Sequence, residues 1–361
     1  MSVIKRRGFT AMLGASALAA PGILRTARAA APLKAGFVYI GPVGDFGWSY
    51  QHNVGRLQAE KAMGGQVETS YVESVPGTPE CEAVFESLVA SGHKLIFGTS
   101  FDYMNYMVKV AAKYPDVKFE HCTGYKQAPN LATYDIRYYQ GRYIQGVIAG
   151  HVSKTGKVGY VASVPIPEVV RGMDGVMQGM RSVNPNAQLK FIMIDNWYDP
   201  GKESEATKAL IDQGCDVICQ HTDSPSPLET AASLHIPAFG QATDMIKFAP
   251  KEQLTASVNE WGGYYTKRMQ AVLGNSWTNA ATWGGFADKM LSMAPYRNMP
   301  AATAAAAAQA VADLTSGKLN VFAGPLLDQT GKTFVPAGKV LDGDDLLKLQ
   351  TLVQGIDGQL S

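Results

Sequence analysis

The chain is predicted to be an α/β protein of two doubly wound lobes, each built on a parallel sheet, with a ligand held between them. Three observations carry this. Short runs that are apolar on both faces alternate with amphipathic segments along most of the chain, the pattern of strands buried under helices on either side. Gly156-Lys157-Val158-Gly159-Tyr160-Val161 reads as a fresh first strand half-way along. The length, about 330 residues after a leader, exceeds the usual size of one hydrophobic core.

The leader comes first. Lys5-Arg6-Arg7-Gly8-Phe9 is a twin-arginine pattern, Thr10 to Leu24 is a small and apolar run, and Ala27-Arg28-Ala29 is an A-x-A-type cleavage site. The apolar run is shorter than the ~20 residues of a membrane span, and no cysteine stands at the cleavage site for a lipid anchor. A signal peptide over residues 1–29 and an exported, periplasmic, unlipidated chain are expected; an uncleaved anchor is the alternative. Removing Lys5, Arg6, Arg7, Arg25 and Arg28 takes the formal charge from +1 to −4, which argues against a nucleic-acid partner.

The predicted strands are Leu33–Ile40, Val67–Val72, Lys94–Thr99, Val117–Cys122, Val158–Val161, Leu189–Ile194, Val217–Gln220 and Pro237–Phe239. Helical spacing begins at Tyr50 and recurs over Cys81–Ser91, Tyr103–Tyr114, Arg142–Val152, Val169–Val183, Ser204–Gln213 and Gly262–Leu273. Ala301 to Ala310 reads as an alanine-rich helix. Turn residues between Val321 and Leu341 suggest a hairpin ahead of a last helix at Asp344–Leu352. The four cysteines, Cys81, Cys122, Cys215 and Cys219, lack the spacing of a zinc site. Buried free thiols are the preferred reading, with a Cys81–Cys122 or Cys122–Cys219 bridge the alternative in an oxidising compartment.

The most informative stretch is Gly41-Pro42-Val43-Gly44-Asp45-Phe46-Gly47-Trp48, a glycine-rich turn straight after the first strand. Loops at the carboxyl ends of parallel strands are where open α/β sheets bind ligands. An acid and two aromatics there suit a flat, hydrogen-bonding ligand. The other strand ends add Ser100, Phe101 and Asp102; Thr123 and Tyr125; Glu168 and Arg171; Asn196, Trp197 and Asp199; His221, Thr222 and Asp223; and Gln241, Thr243 and Asp244. Helix capping is the competing role for the Asp and Thr residues, as for Asp199 before Pro200. It does not explain a loop Trp or Phe.

No G-x-S-x-G elbow, H-E-x-x-H pair, P-loop or G-x-G-x-x-G is present. His121 and His221 end two strands, but a metal site built from both is disfavoured. No nucleophile is paired with a base, so binding is favoured over catalysis, with no cofactor and no metal.

Together, Gly44-Asp45-x-Gly47-Trp48, Pro115-Asp116-Val117-x-Phe119, Tyr143-x-x-Gly146, Gly156-Lys157-Val158-Gly159, Asn184-Pro185, Gly214-x-Asp216-Val217-Ile218 and Gly240 to Asp244 resemble the basic membrane protein family of ABC-importer substrate-binding proteins. The likeness covers nearly the whole mature chain. It implies a periplasmic-binding-protein type I fold: two α/β lobes, three crossings, and a hinge with the ligand in the cleft. The implied lobes are 30–153 with 258–285, and 154–257 with 286–361. It implies a monomer that docks on permease subunits in the inner membrane. Family members bind purine nucleosides, the base stacking between aromatic rings. Stacking then falls to Phe46, Trp48, Phe101 or Trp197, and edge recognition to Asp45, Asp102, Asp223 or Asp244, with Asn259 and Glu260 completing the set. Core packing is the alternative for Phe46 and Phe101.

Two departures bear on the ligand. The family carries Asp-x-Asp after the glycine of Gly240-Gln241-Ala242-Thr243-Asp244, its first Asp holding the ribose, and Ala242 stands there. The family also has a lysine near the sugar, and Ala256-Ser257-Val258-Asn259-Glu260-Trp261 has none. An unpartnered ribose hydroxyl costs about 1–3 kcal/mol. A free purine base, adenine-like, is therefore expected. A purine nucleoside receptor is the alternative, followed by an exported nucleoside hydrolase or deaminase and by a sensor subunit. Sugars, which also stack on Trp, stay open.

Overall fold

The computed structural model describes residues 31–44 and 46–360. The leader and Asp45 lie outside the described residues. The first sheet is built from β1 (Leu33–Val38), β2 (Val67–Val72), β3 (Leu95–Gly98), β4 (Lys118–Cys122) and β5 (Leu131–Ile136). Helices α1 (Trp48–Met63), α2 (Glu80–Ala90) and α3 (Met104–Lys113) connect its first four strands. After α4 (Tyr138–Val152) come β6 (Lys157–Ala162), α5 (Pro167–Arg181), β7 (Gln188–Met193), α6 (Pro200–Asp212), β8 (Val217–His221), α7 (Ser226–Ser233), β9 (Ala238–Ala242) and β10 (Gln253–Asn259). The chain ends with α8 (Trp261–Leu273), β11 (Thr282–Gly284), β12 (Leu291–Met293), α9 (Ala301–Thr315), β13 (Leu326–Leu327), β14 (Thr333–Val335), α10 (Gly343–Leu347) and β15 (Ile356–Asp357).

The first sheet has the order β11-β5-β4-β3-β1-β2 and is parallel throughout. The second has the order β12-β10-β9-β8-β6-β7-β15, with only β12 antiparallel. Leu95-Ile96-Phe97-Gly98 is buried at every position, as a central parallel strand covered on both faces must be. Phe37 and Phe97 stack across β1 and β3 at 4.5 Å between ring centroids.

The chain passes between sheets three times, at Arg137, Glu260 and Gly285. The first passage corrects the expectation of Ser153, because α4 packs on the second sheet's side. Its glycines explain why. A Cβ on Gly146 would stand 2.1 Å from the Val176 carbonyl oxygen, and one on Gly179 would stand 2.1 Å from that of Tyr143. Only glycine lets α4 and α5 approach this closely, and that contact holds α4 in the second lobe.

Two strands gave no apolar signal. In β10, Gln253, Thr255, Ser257 and Asn259 are buried although polar. Thr255 donates to the Ala294 carbonyl at 2.6 Å, and Gln253 donates to Asp244 at 2.6 Å. β5 (Leu-Ala-Thr-Tyr-Asp-Ile) reads as a weak alternation, and α7 was not anticipated either. The last helix is shorter than predicted, Gly343–Leu347, and the hairpin forms between β13 and β14. All four cysteines are buried and free.

Candidate functional site

The carboxyl ends of both sheets face one cleft. Its inner part is a narrow pocket lined by Ile40, Trp48, Ser100, Phe101 and Thr123 of the first lobe, and by Glu168, Trp197, His221, Asp223 and Gln241 of the second. It is continuous, through Ile40, Trp48, Trp197 and Asp223, with an outer space of about 1,340 Å³ that opens to solvent.

Trp48 begins α1 and is held on three sides. Its Nε1 donates to the Thr99 carbonyl at 2.6 Å, and its ring meets His52 edge-on at 4.5 Å and Trp261 edge-on at 5.9 Å. Trp261 is itself buried and stacks on His52 at 4.5 Å. It fills space behind Trp48 and does not line the pocket. Phe101 follows β3, beside Tyr125 at 5.9 Å. Trp197 follows β7, and its side chain lies close enough to Asp102 of the other lobe to favour that residue's charge. Three of the four predicted stacking residues therefore line one inner pocket.

Phe46 is the fourth and has a different role. It lines only the outer space, packing edge-on against Phe248 at 4.7 Å with the Lys247 ammonium 4.0 Å from its ring centroid. A first-lobe residue thus packs among partly buried apolar residues of the second lobe at the rim of the outer space. Gly47 beside it has φ +92, and a Cβ there would stand 2.2 Å from the Asp223 carbonyl oxygen. The two lobes meet backbone to backbone at this point.

The predicted edge-reading acids divide. Asp102 lines the outer space and Asp223 lines both spaces. Asp244 lines neither. Its carboxylate is 2.9 Å from Arg297 Nη1 and also accepts from Gln253 and the Ile246 N–H, so its lone pairs serve the fold. Asn259 and Glu260 are also outside the lining. Asn259 is buried at the end of β10 and its carbonyl accepts from Gln51 at 2.7 Å. Glu260 accepts from Ser292 at 2.7 Å where the chain crosses between sheets.

Glu168, His221 and Gln241 take their place in the lining. All three were legible as strand-end polar residues, but nothing local singled them out. Glu168 sits in the first turn of α5, its Oε1 3.2 Å from His221 Nε2. His221 Nδ1 lies 3.0 Å from the Tyr160 hydroxyl. Gln241 Oε1 accepts from Arg142 Nη2. Burial holds His221 well below the ordinary histidine range, so it is neutral. Burial also pushes the Glu168 carboxyl up to about 7, against the pull of Arg171 and Arg142.

That shift predicts a pH effect. An acid that binds its proton more tightly folded than unfolded stabilises the fold fully below its unfolded pKa, and that stability is lost as pH rises through the folded pKa. The contribution of Glu168 should therefore fade between about pH 4.5 and 7. Glu168→Gln should flatten the decline of melting temperature across that window relative to the unsubstituted protein. Parallel melting curves for the two proteins would refute it.

Among the described residues no group of three or more His, Cys, Asp or Glu could hold a metal ion. No helix among them is long and apolar enough to cross a membrane.

Two parallel-sheet lobes with a polar and aromatic cleft at their facing carboxyl ends define a solute-binding protein of the periplasmic type I architecture. The chain belongs to the Bmp family of PnrA-like ABC transporter substrate-binding proteins, whose model matches residues 33–313. It is 49% identical over 334 residues to a purine-binding protein of Brucella abortus (strain 2308), covering 92% of this chain and 95% of that one. It is 39% identical over 253 residues to a putative ABC transporter glucose-binding protein of Haloferax volcanii, covering 70% of this chain and 64% of that one. Among solved structures, an ABC transporter solute-binding protein of Aeropyrum pernix K1 superposes with a TM-score of 0.69 at 16% identity, over 80% of this chain and 93% of that one. Small-molecule ligands and ABC permease partners follow from the family.

Proposed function

We propose that this protein binds a purine nucleobase, adenine-like, in the inner pocket and delivers it to an ABC permease from the periplasm, after export by its twin-arginine leader. The observation that carries the reading is the inner pocket itself. Its lining sets Trp48, Phe101 and Trp197 for a flat ring beside Glu168, Asp223 and Gln241 for its edge. Stacking on aromatic side chains contributes roughly 1–3 kcal/mol per base, and carboxyl and amide groups read base edges. The purine-binding protein of Brucella abortus, 49% identical, supports the same ligand class.

The base is preferred over the nucleoside because Ala242 offers no acceptor to a sugar hydroxyl. It is 1% exposed, has φ +61, and lies outside the pocket lining. Hydrolase or deaminase action is disfavoured by the family's role and by the absence of a nucleophile–base pair in the lining; incubation with nucleosides, followed by chromatography, would reveal it.

A thermal-shift panel on Ala30–Ser361 tests the reading. A ligand that binds only the folded state stabilises it by mass action, by about 2.7 kcal/mol at 100 times its Kd, and so raises the melting temperature. Adenine should give a clear shift, and adenosine a smaller one or none. A larger shift with adenosine would restore the nucleoside reading. A shift with glucose alone would move the ligand to the class named for the Haloferax volcanii relative.

A further inference from the structure

Three second-lobe carboxyls surround the pocket wall, and their partners differ. Glu203 of α6 accepts from the Thr222 and Ser224 hydroxyls at 2.8 and 2.6 Å and from the Asp199 N–H at 3.0 Å. Glu168 of α5 faces His221, with Arg171 and Arg142 near enough to favour its charge. Asp223 has neither kind of support. Its N–H donates to the Trp197 carbonyl at 2.9 Å, but its carboxyl accepts from no described residue and pairs with no described cation. Its charged and titratable neighbours are Glu203, Glu168, the neutral His221 two residues earlier, and Asp102 in the outer space across the cleft. Burial, then the charges of Glu203 and Glu168, push its carboxyl well above the usual range. Asp223 is part-buried, so its carboxylate keeps some water until a ligand enters; once that water is displaced, a carboxylate with no protein donor and two acidic neighbours is unfavourable unless it takes a proton.

We propose that Asp223 is the specificity-determining residue of the pocket and meets its ligand as a neutral carboxylic acid. In that form its O–H donates while its C=O accepts, side by side, as an amide side chain would. It therefore takes a ligand edge that sets an N–H beside a bare acceptor, such as the amino group and adjacent ring nitrogen of adenine. It discriminates against an edge of two adjacent N–H donors, such as guanine's N1–H and 2-amino group, which a carboxylate would prefer. This rests on the purine reading above and names the ligand edge that the site selects.

The test is binding of adenine and guanine, by calorimetry from pH 5 to 9, to the unsubstituted protein, Asp223→Asn and Asp223→Ala. A mixed bidentate contact discriminates by roughly 10–100-fold. Asp223→Asn should keep adenine affinity within about threefold at pH 6, and Asp223→Ala should lose about 10–100-fold. Adenine affinity of the unsubstituted protein should fall at alkaline pH, approaching tenfold per pH unit, while Asp223→Asn stays flat. Equal losses in Asn and Ala variants would show that a carboxylate does the reading and would overturn the proposal, as would an Ala variant that binds normally. Guanine binding more tightly than adenine would overturn it too. Carbon-detected NMR titration of the unliganded protein, with Asp223→Asn for assignment, is independent of ligand. A carboxyl titrating in the ordinary aspartate range overturns the proposal whatever binds. No binding of any purine, with the carboxyl still titrating high, would sink the purine reading and the ligand edge named here while leaving Asp223 a neutral acid.

Discussion

Replacing Trp48 by alanine is expected to weaken ligand binding by ~5–150-fold and to cost about 3–5 kcal/mol of stability, the usual range for a large buried aromatic. The two losses have separate causes. Stability falls because the ring is packed against His52 and Trp261, and because removing Nε1–H leaves the buried Thr99 carbonyl without that donor. Binding falls because Trp48 lines both the inner and the outer space, and a lost stacking face weakens a base complex by about 1–3 kcal/mol, or ~5–150-fold. Trp48→Phe separates them. It keeps a π-face, so affinity should recover most of the way, while the missing N–H keeps the melting temperature below that of the unsubstituted chain. Calorimetric Kd and thermal melts on the same samples read both. An alanine variant that folds and binds as the unsubstituted protein does would remove Trp48 from the site.

The second large effect is expected at a residue that touches no ligand. Gly47→Val should weaken binding by about 100-fold or more while leaving each lobe folded. At φ +92 and ψ −162, Gly47 occupies a backbone region open essentially to glycine alone, where other residues carry about 1–3 kcal/mol of strain. A side chain there would also run into the Asp223 carbonyl oxygen of the other lobe. The clash applies to the apposed lobes and is relieved when they separate, so that part of the penalty acts on closure. Solution scattering with saturating ligand should show the variant remaining more extended than the unsubstituted protein. If Gly47→Val binds within threefold and contracts normally, the backbone contact is not what limits closure. Phe46, packed on Phe248 at the same mouth, works with it as an apolar latch.

The pH effects at Glu168 and Asp223 share one origin. Carboxylates placed at a cleft between two lobes lose water as the lobes meet, and only some of them gain partners. Glu203 gains three donors, Glu168 a histidine and nearby arginines, and Asp223 none. The acid left over is the one free to read a ligand.

The sequence by itself determined the fold class, most strands and the place of the cleft. Parallel strands are covered on both faces, so each must be a short apolar run, and such runs mark β1, β3 and β8 without any knowledge of their neighbours. Strand order in an open α/β sheet then puts the following loops on one edge, which is why Trp48, Phe101, Trp197 and Asp223, which line the cleft, could be named as candidates. Only the tertiary structure decided which strand-end residues look into the cleft. Asp244 is withdrawn by Arg297, 53 residues away, and Glu260 by Ser292, 32 residues away. Phe46 is claimed by Phe248 of the other lobe, and Glu168 comes forward because α5 carries it to His221. The polar strand β10 and the glycine seam that draws α4 into the second lobe were equally hidden. In each case the deciding partner is distant along the chain. Local periodicity records whether a residue is buried, but which group satisfies it is settled only when the two lobes and their crossings are assembled.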